Sequence, residues 1–435
     1  MTGPKKPVLT RRTLLGTTAA AGVGAVLPAG LAAAAGPGGR PLRGDQAAID
    51  AAAARLDRGL IALRRDLHRH PETAGQERRT AAAVADRLRA AGLKVTAGVG
   101  GHGVVGVLKG ARPGRTVAYR ADMDAVPPEG IVTGGAEAAH VCGHDIHTTV
   151  GVGVAQVLAG LRHRLSGTVV FCFQPAEETL TGARAMIDAG VLERTRPEEI
   201  HALHCGPFPV GQFAVTPGSG LPGQDGAVIT LSGPDAAGAA QRLAAEIGGL
   251  ATVAPPETPA DLERMVADVQ TPDGPLARFV VVGAEAQQPD GEGRAGVRVW
   301  YRCWPEERYV EVREEIRRLA KPYAGALVNF PAEPFPAMVC PEREAHALAR
   351  HLRRRFGPDG ATVMHTAFPF NGEDFALFLD RIPGTYSFLG VRAPGDGITK
   401  SCPHYGDFAP DERSIGFGVR AMSGWLAERA HPRAG

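Results

Sequence analysis

"GTVVFCFQPAEE", residues 167–178, is an apolar run of strand length that ends at Pro175 and then presents two adjacent glutamates, Glu177 and Glu178. The stretch before it, "IHTTVGVGVAQVLAGLRHRL" (146–165), reads as a buried helix, and "RTVAYRADMD" (115–124) as a short strand running into acids. After it, "EEIHALHCG" (198–206) is a further strand ending in histidine. Strand alternates with helix, which predicts an α/β fold: a mostly parallel sheet flanked by helices. In such sheets ligands sit beyond the carboxyl ends of the strands, so these acid- and histidine-bearing ends are expected on one edge.

Two helices lead into this layer. "AARLDRGLIALRRDLHRHPE" (53–72) has apolar spacing at Leu56, Leu60, Leu63 and Leu67 and stops before Pro71; "ERRTAAAVADRLRAAG" (77–92) ends at Gly92. His68 and His70 are read as structural residues of a helix end rather than as ligands. From about Gly211 the texture changes to Pro/Gly-rich joints, a small-residue helix (235–250), the alternating strand "RAGVRVWYRCW" (294–304) and the helix "VEVREEIRRLAK" (310–321). The expected organisation is a linker over 36–50, a first catalytic part over 51–212, an inserted, smaller α+β lid or dimerisation domain over 213–332, and a second catalytic part over 333–435.

The 435 residues are 44% hydrophobic and 22% charged, as in a globular chain large enough for two domains. Residues 1–35 read as an export signal: Arg11–Arg12, then Leu14–Leu15, a bland Ala/Gly/Val run, and a small-residue cleavage site near Ala35. The paired arginines give it a twin-arginine form and predict an extracellular or cell-envelope location. The apolar run is short and poor in large side chains, so stable membrane insertion is not expected. Without Lys5, Lys6, Arg11 and Arg12 the chain carries 44 basic against 46 acidic residues, with no long basic run that would suit nucleic acid. The six cysteines match no small disulfide scaffold.

"HVCGHD" (140–145) is where chemistry concentrates. A cysteine thiolate and an imidazole are good ligands for zinc and related ions, but Cys142 and His144 alone do not make a site. Glu177 and Glu178 add paired carboxylates, whose buried charges would repel without a cation. His204 and His404 are candidate ligands from two more segments, and Asp122 and Asp124 could touch a metal or brace a ligating histidine. Four segments converging on one sheet edge point to a metal grip rather than a redox cysteine.

The chain resembles the amidohydrolase branch, with its hippurate hydrolases and auxin-conjugate hydrolases, of the two-metal aminoacylase/carboxypeptidase peptidases. The likeness is carried by "RRDLHRHPE", "YRADMDAVP", "HVCGHDIHTT", "GTVVFCFQPAEE", "HALHCGPFPVG", "NGEDFALFL" and "PHYGDF", across residues 60–215 and 365–420. It implies metal ligation by Cys142, His144, Glu178, His204 and His404, with Glu177 as general base and Asp124 orienting the site. His147 matches a family position and is read as structural. The implied reaction is hydrolysis of the amide of an N-acyl amino acid or small peptide by a metal-activated water. Two divalent ions per chain are implied, zinc or manganese, with cobalt or nickel open, and a homodimer through the inserted domain.

The inserted domain departs from the pattern. Family members carry a Gly-Gly-His motif where this chain has Ser232, Gly233, Pro234 and Asp235, and no histidine occurs between His204 and His346. Loss of one such donor costs about 10²–10³ in rate in other enzymes. The alternative reading is therefore a catalytically weakened or inactive member that binds a metal or small ligand. Arg278, Arg294 and Arg302 are the replacements considered, with surface or strand-pairing roles preferred. Cys205 and Cys402 each adjoin an expected ligand, which raises a disulfide between them as a hypothesis.

Overall fold

The computed structural model describes residues 40–128, 137–290, 292–405 and 407–432. The expected signal peptide lies outside these residues. A helix, Gln46–Ala54, begins inside the stretch expected as linker, because Asp45 caps it by accepting the Ala48 N–H and Ile49 is buried.

Among the described residues, fourteen strands form three sheets. In chain order they are β1 (Lys94–Val99), β2 (Gly103–Lys109), β3 (Arg112–Asp122), β4 (Ser166–Gln174), β5 (Glu199–Pro209), β6 (Phe213–Val215) and β7 (Gly220–Leu221). There follow β8 (Asp225–Leu231), β9 (Phe279–Ala286), β10 (Ala295–Trp304), β11 (Leu327–Asn329), β12 (Met338–Val339), β13 (Ala361–Val363) and β14 (Gly384–Arg392). The large sheet has the order β1-β2-β4-β3-β5-β14-β6-β13. Its centre, β4-β3-β5-β14, is parallel, and antiparallel pairings join β1, β2 and β6 to it.

Strand β3 shows why this sheet is covered on both faces. Val117, Tyr119 and Ala121 enter one apolar core and Ala118 the other, so the strand reads as a nearly continuous apolar run. The first core holds the helices Asp57–His68, Arg78–Ala90, His144–Gly160 and Arg413–Arg429; the second holds Gly182–Asp188 and Pro259–Val269. The expected α/β layer is what forms.

The smaller domain is a four-stranded antiparallel sheet, β11-β8-β10-β9. One face packs on the helices Ala236–Gly248 and Tyr309–Ala320 through Ile229, Val297, Val299 and Tyr301. The alternate residues of β10, Arg298, Trp300 and Arg302, point to the other face. No helix among the described residues is long and apolar enough to cross a membrane.

Candidate metal centre

Register sets the site. β3 pairs Asp122 with Gln174 of β4, and pairs Arg120 with Ala202 of β5, which brings Asp122 level with His204. At the same edge Pro175 ends β4, and Ala176 takes a left-handed φ of 54° that turns Glu177 and Glu178 back over the strand ends. Gly143 makes the other sharp turn, at φ 96°, as the cap of the helix His144–Gly160. Cys142 and His144 therefore sit on either side of that cap.

The donor atoms converge in overlapping groups, each with its members within 4.8 Å of one another. One group is Cys142, Glu178 and His404; another is His144, Glu177 and Glu178; a third is Asp122, His144, His147 and His204. Cys142 Sγ lies 3.3 Å from His204 Nε2, and Glu178 Oε2 lies 3.6 Å from His404 Nε2. All five residues named as ligands from the sequence are thus in one place, with Glu177 among them. His144 Nε2 and Glu178 Oε1 are buried without a hydrogen-bond partner. Such atoms are costly unless something fills the space between them, and a cation does so. The donor set, three overlapping groups of histidine, carboxylate and one thiol, fits a pair of divalent ions.

The surrounding bonds fix which nitrogen faces inward. His204 donates Nδ1–H to its neighbour's carbonyl, Cys205 O, at 2.8 Å, which leaves Nε2 free. His144 does the same to Asp124 O at 2.8 Å. Burial first, then the nearby His147, holds His204 well below the ordinary imidazole range, so it is neutral. Burial opposes charge on His144 too, but the Asp122 carboxylate, Cys142 and the Asp124 contact together outweigh it and raise His144 well above that range. His147 belongs to the frame: Nδ1 bonds Asp122 Oδ1 at 2.6 Å, and Nε2 accepts the Cys205 N–H at 2.7 Å. His68 bonds Asp145 at 2.8 Å and His70 its own helix carbonyl, Asp66 O, so neither joins the donor groups.

Asp124 carries the acidic turn: Oδ1 accepts the Glu177 N–H at 3.0 Å and Oδ2 the Glu178 N–H at 2.9 Å. Burial pushes Glu177 well above the ordinary carboxylate range, with Glu373 and Glu178 adding to it. Glu373 and Asp374 form a further carboxylate group with Glu177 that the sequence had not assigned. Arg120 lies in it, fully buried, bonding Asp122 at 2.5 Å, Glu373 at 2.8 Å, Asp374 at 3.2 Å and Gln174 at 2.9 Å. That guanidinium already supplies the positive partner, so this group is an ion cluster behind the site rather than a further metal pocket.

The three arginines of the inserted domain separate clearly. Arg278 pairs with Glu311 and Arg294 with Asp290, both exposed. Arg302 instead packs against the turn at Gly372: Nη2 bonds Gln224 at 2.9 Å, while Nη1 is buried with no partner. A Cβ on Gly372 would overlap this guanidinium. Burial pushes Arg302 down to about 10, against the pull of the Glu177 carboxylate. The disulfide between Cys205 and Cys402 is not made. All six thiols are free and buried, Cys205 Sγ against Gly143 O in the core on one side of the sheet and Cys402 in the core on the other.

The match to known proteins agrees with this arrangement. Residues 118–428 match the model of peptidase family M20/M25/M40. Thermostable carboxypeptidase 1 of Saccharolobus solfataricus is 30% identical over 391 residues, 83% of this chain and 93% of its own. The N-acetylcysteine deacetylase of Bacillus subtilis is 30% identical over 379 residues, 82% of this chain and 93% of its own. Among solved structures, a dinuclear metal-binding M20 peptidase from Bacillus subtilis superposes with a TM-score of 0.66 at 26% identity, covering 87% of this chain and 99% of that one. With its converged donors and its buried acidic turn, the chain belongs to peptidase family M20/M25/M40, as a metal-dependent hydrolase.

Proposed function

We propose that the chain hydrolyses the amide of N-acyl amino acids or small peptides, as in the hippurate and auxin-conjugate hydrolase branch. In this reading Cys142, His144, Glu178, His204 and His404 hold two divalent ions, zinc or manganese, and Glu177 is the base. Bound ions lower the pKa of water and stabilise developing negative charge on the amide oxygen. Glu177 takes the proton of the attacking water and returns it to the leaving amine. Its burial raises its affinity for that proton, which suits it to act as the base. Asp124 keeps it in place by gripping its backbone.

The observation that carries the substrate class is Arg302 Nη1, a buried guanidinium nitrogen with no partner at the turn of Gly372, whose neighbours Glu373 and Asp374 group with Glu177. A carboxylate on the leaving amino acid completes it with a charge-assisted bond. The twin-arginine stretch supports export, and family likeness supports a homodimer through the inserted domain.

The test uses the chain without residues 1–35. Elemental mass spectrometry should find about two divalent ions per chain, and amine should be released from a panel of N-acetyl and N-benzoyl amino acids. Glu177→Gln should keep its metal and lose turnover by about 10²–10⁴-fold. N-acetyl amines lacking the carboxylate should be poor substrates. Bound metal without amine release from any of the panel would remove the proposed substrate class and favour a weakened, ligand-binding member.

A further inference from the structure

The open face of the inserted sheet carries apolar surface that its own core does not use. Three of the four large hydrophobic residues exposed among the described residues, Val228, Trp300 and Leu327, lie on β8, β10 and β11. Trp300 is 42% exposed, whereas the other two tryptophans of the chain, Trp304 and Trp425, are buried. Its cross-strand neighbours are both glycine, Gly226 on β8 and Gly283 on β9. The indole lies directly over Gly283, where any Cβ would overlap it. The ring is therefore packed onto a bare strand through its Nε1, Cε2 and Cζ2 edge and is otherwise partly open.

Its position places it beside Arg302. Trp300 and Arg302 are two residues apart on β10 and share a face, which puts them about 7 Å apart along the strand. Arg302 reaches the turn at Gly372, next to the carboxylates behind Glu177. An amino acid whose carboxylate meets Arg302 bears its side chain on the adjoining carbon, while its acyl group lies across the scissile amide. Trp300 is the exposed aromatic surface next along the same strand face from a carboxylate held at Arg302.

We propose that Trp300 is the floor of a side-chain subsite, selecting N-acyl amino acids whose leaving amino acid is aromatic or large and apolar. This rests on the N-acyl amino acid reading above and narrows it. The open ring offers a stacking surface, and flat aromatic contact of this kind is worth up to about tenfold in affinity.

The experiment compares kcat/KM for N-acetyl-phenylalanine and N-acetylglycine in the metal-loaded chain and in Trp300→Ala, Trp300→Phe and Val310→Ala. Val310 is also exposed, but on the helix Tyr309–Ala320, which covers the opposite face. The wild type should prefer the aromatic substrate. The ratio should fall about tenfold in Trp300→Ala, recover largely in Trp300→Phe and stay put in Val310→Ala. As a second readout on the unaltered chain, L-phenylalanine but not glycine should protect the exposed tryptophan from iodide quenching. An unchanged ratio, or an equal loss on both substrates with dissociation of a dimer, would overturn the subsite and make Trp300 a subunit contact. Turnover of neither substrate, nor of any other N-acyl amino acid, would instead remove the reading beneath it, and the subsite with it.

Discussion

Asp124 holds Glu177 by its backbone rather than by its side chain, accepting the Glu177 N–H at 3.0 Å on Oδ1. Its second oxygen holds Glu178 in the same way at 2.9 Å. Asp124→Asn keeps the shape and one acceptor, but sets an NH₂ group against one of those N–H donors. We expect kcat/KM to drop about 10–100-fold, as for other residues that orient a metal site from behind, with little change in the unfolding midpoint. Steady-state kinetics beside thermal unfolding checks this; a loss of less than twofold would show that the turn holds itself.

Gly143 should tolerate no side chain. At φ 96° an alanine is strained, and its Cβ would lie 2.7 Å from Cys205 Sγ. Together these cost roughly 2–5 kcal/mol. Relief of the clash must shift Cys142 or His144, so Gly143→Ala should also bind less metal. Urea unfolding and elemental analysis of the same preparation measure both effects.

Arg120→Lys tests the ion cluster. Lysine keeps the charge but cannot reach four partners with a planar fork, so buried carboxylates among Asp122, Glu373 and Asp374 lose their partner. The expected loss is about 3–5 kcal/mol in folding stability. Chemical denaturation is the measurement, and a change under 1 kcal/mol would mean that the carboxylates share protons instead.

His140 gives a pH signature. Both ring nitrogens are buried without partners, and burial pushes its pKa down to about 4, against the charge of Asp145. In the unfolded chain it titrates near 6.5. As pH falls from about 6.5 to about 4, the unfolded chain takes a proton that the folded chain refuses, so stability declines over that interval, by about 3 kcal/mol in total. Stability should be flat above it as far as this group is concerned. His140→Leu should flatten the decline, read from urea unfolding at half-unit pH steps.

The parts of this molecule that were legible in the sequence are those where residue type departs from its local pattern. "QPAEE" and "HVCGHD" put acids, histidines and a thiol at the ends of apolar segments, which in an α/β layer is one edge, and the donors do meet there. Arg120 left no such mark: a lone arginine in an apolar strand looks like a strand end, and its partners Glu373 and Asp374 lie about 250 residues away. Arg302 was read among surface or strand-pairing arginines, because alternation along β10 gives its face but not what that face meets. Only the packing of the inserted sheet against Gly372 shows where the guanidinium goes. The hypothesis for Cys205 and Cys402 failed for a related reason: closeness to two ligands that meet does not bring two thiols to the same side of a sheet.

The strands where the chain leaves and re-enters the large sheet are zipped together: Gly220–Leu221 pairs with Met338–Val339, and Gln224 bridges Phe335 just beyond. More than a hundred residues pass through this doorway, whose two jambs hold each other, and the helix Pro259–Val269 among them packs back into the second core of the large sheet. Mutations behind that doorway can change the shape of the substrate's seat while the reacting edge is untouched. Chemistry and taste can drift at different speeds in such a molecule: one edge gathers the thiol, imidazole and carboxylate donors, while the inserted sheet carries its own loop, Ser232-Gly233-Pro234-Asp235, and a half-exposed tryptophan.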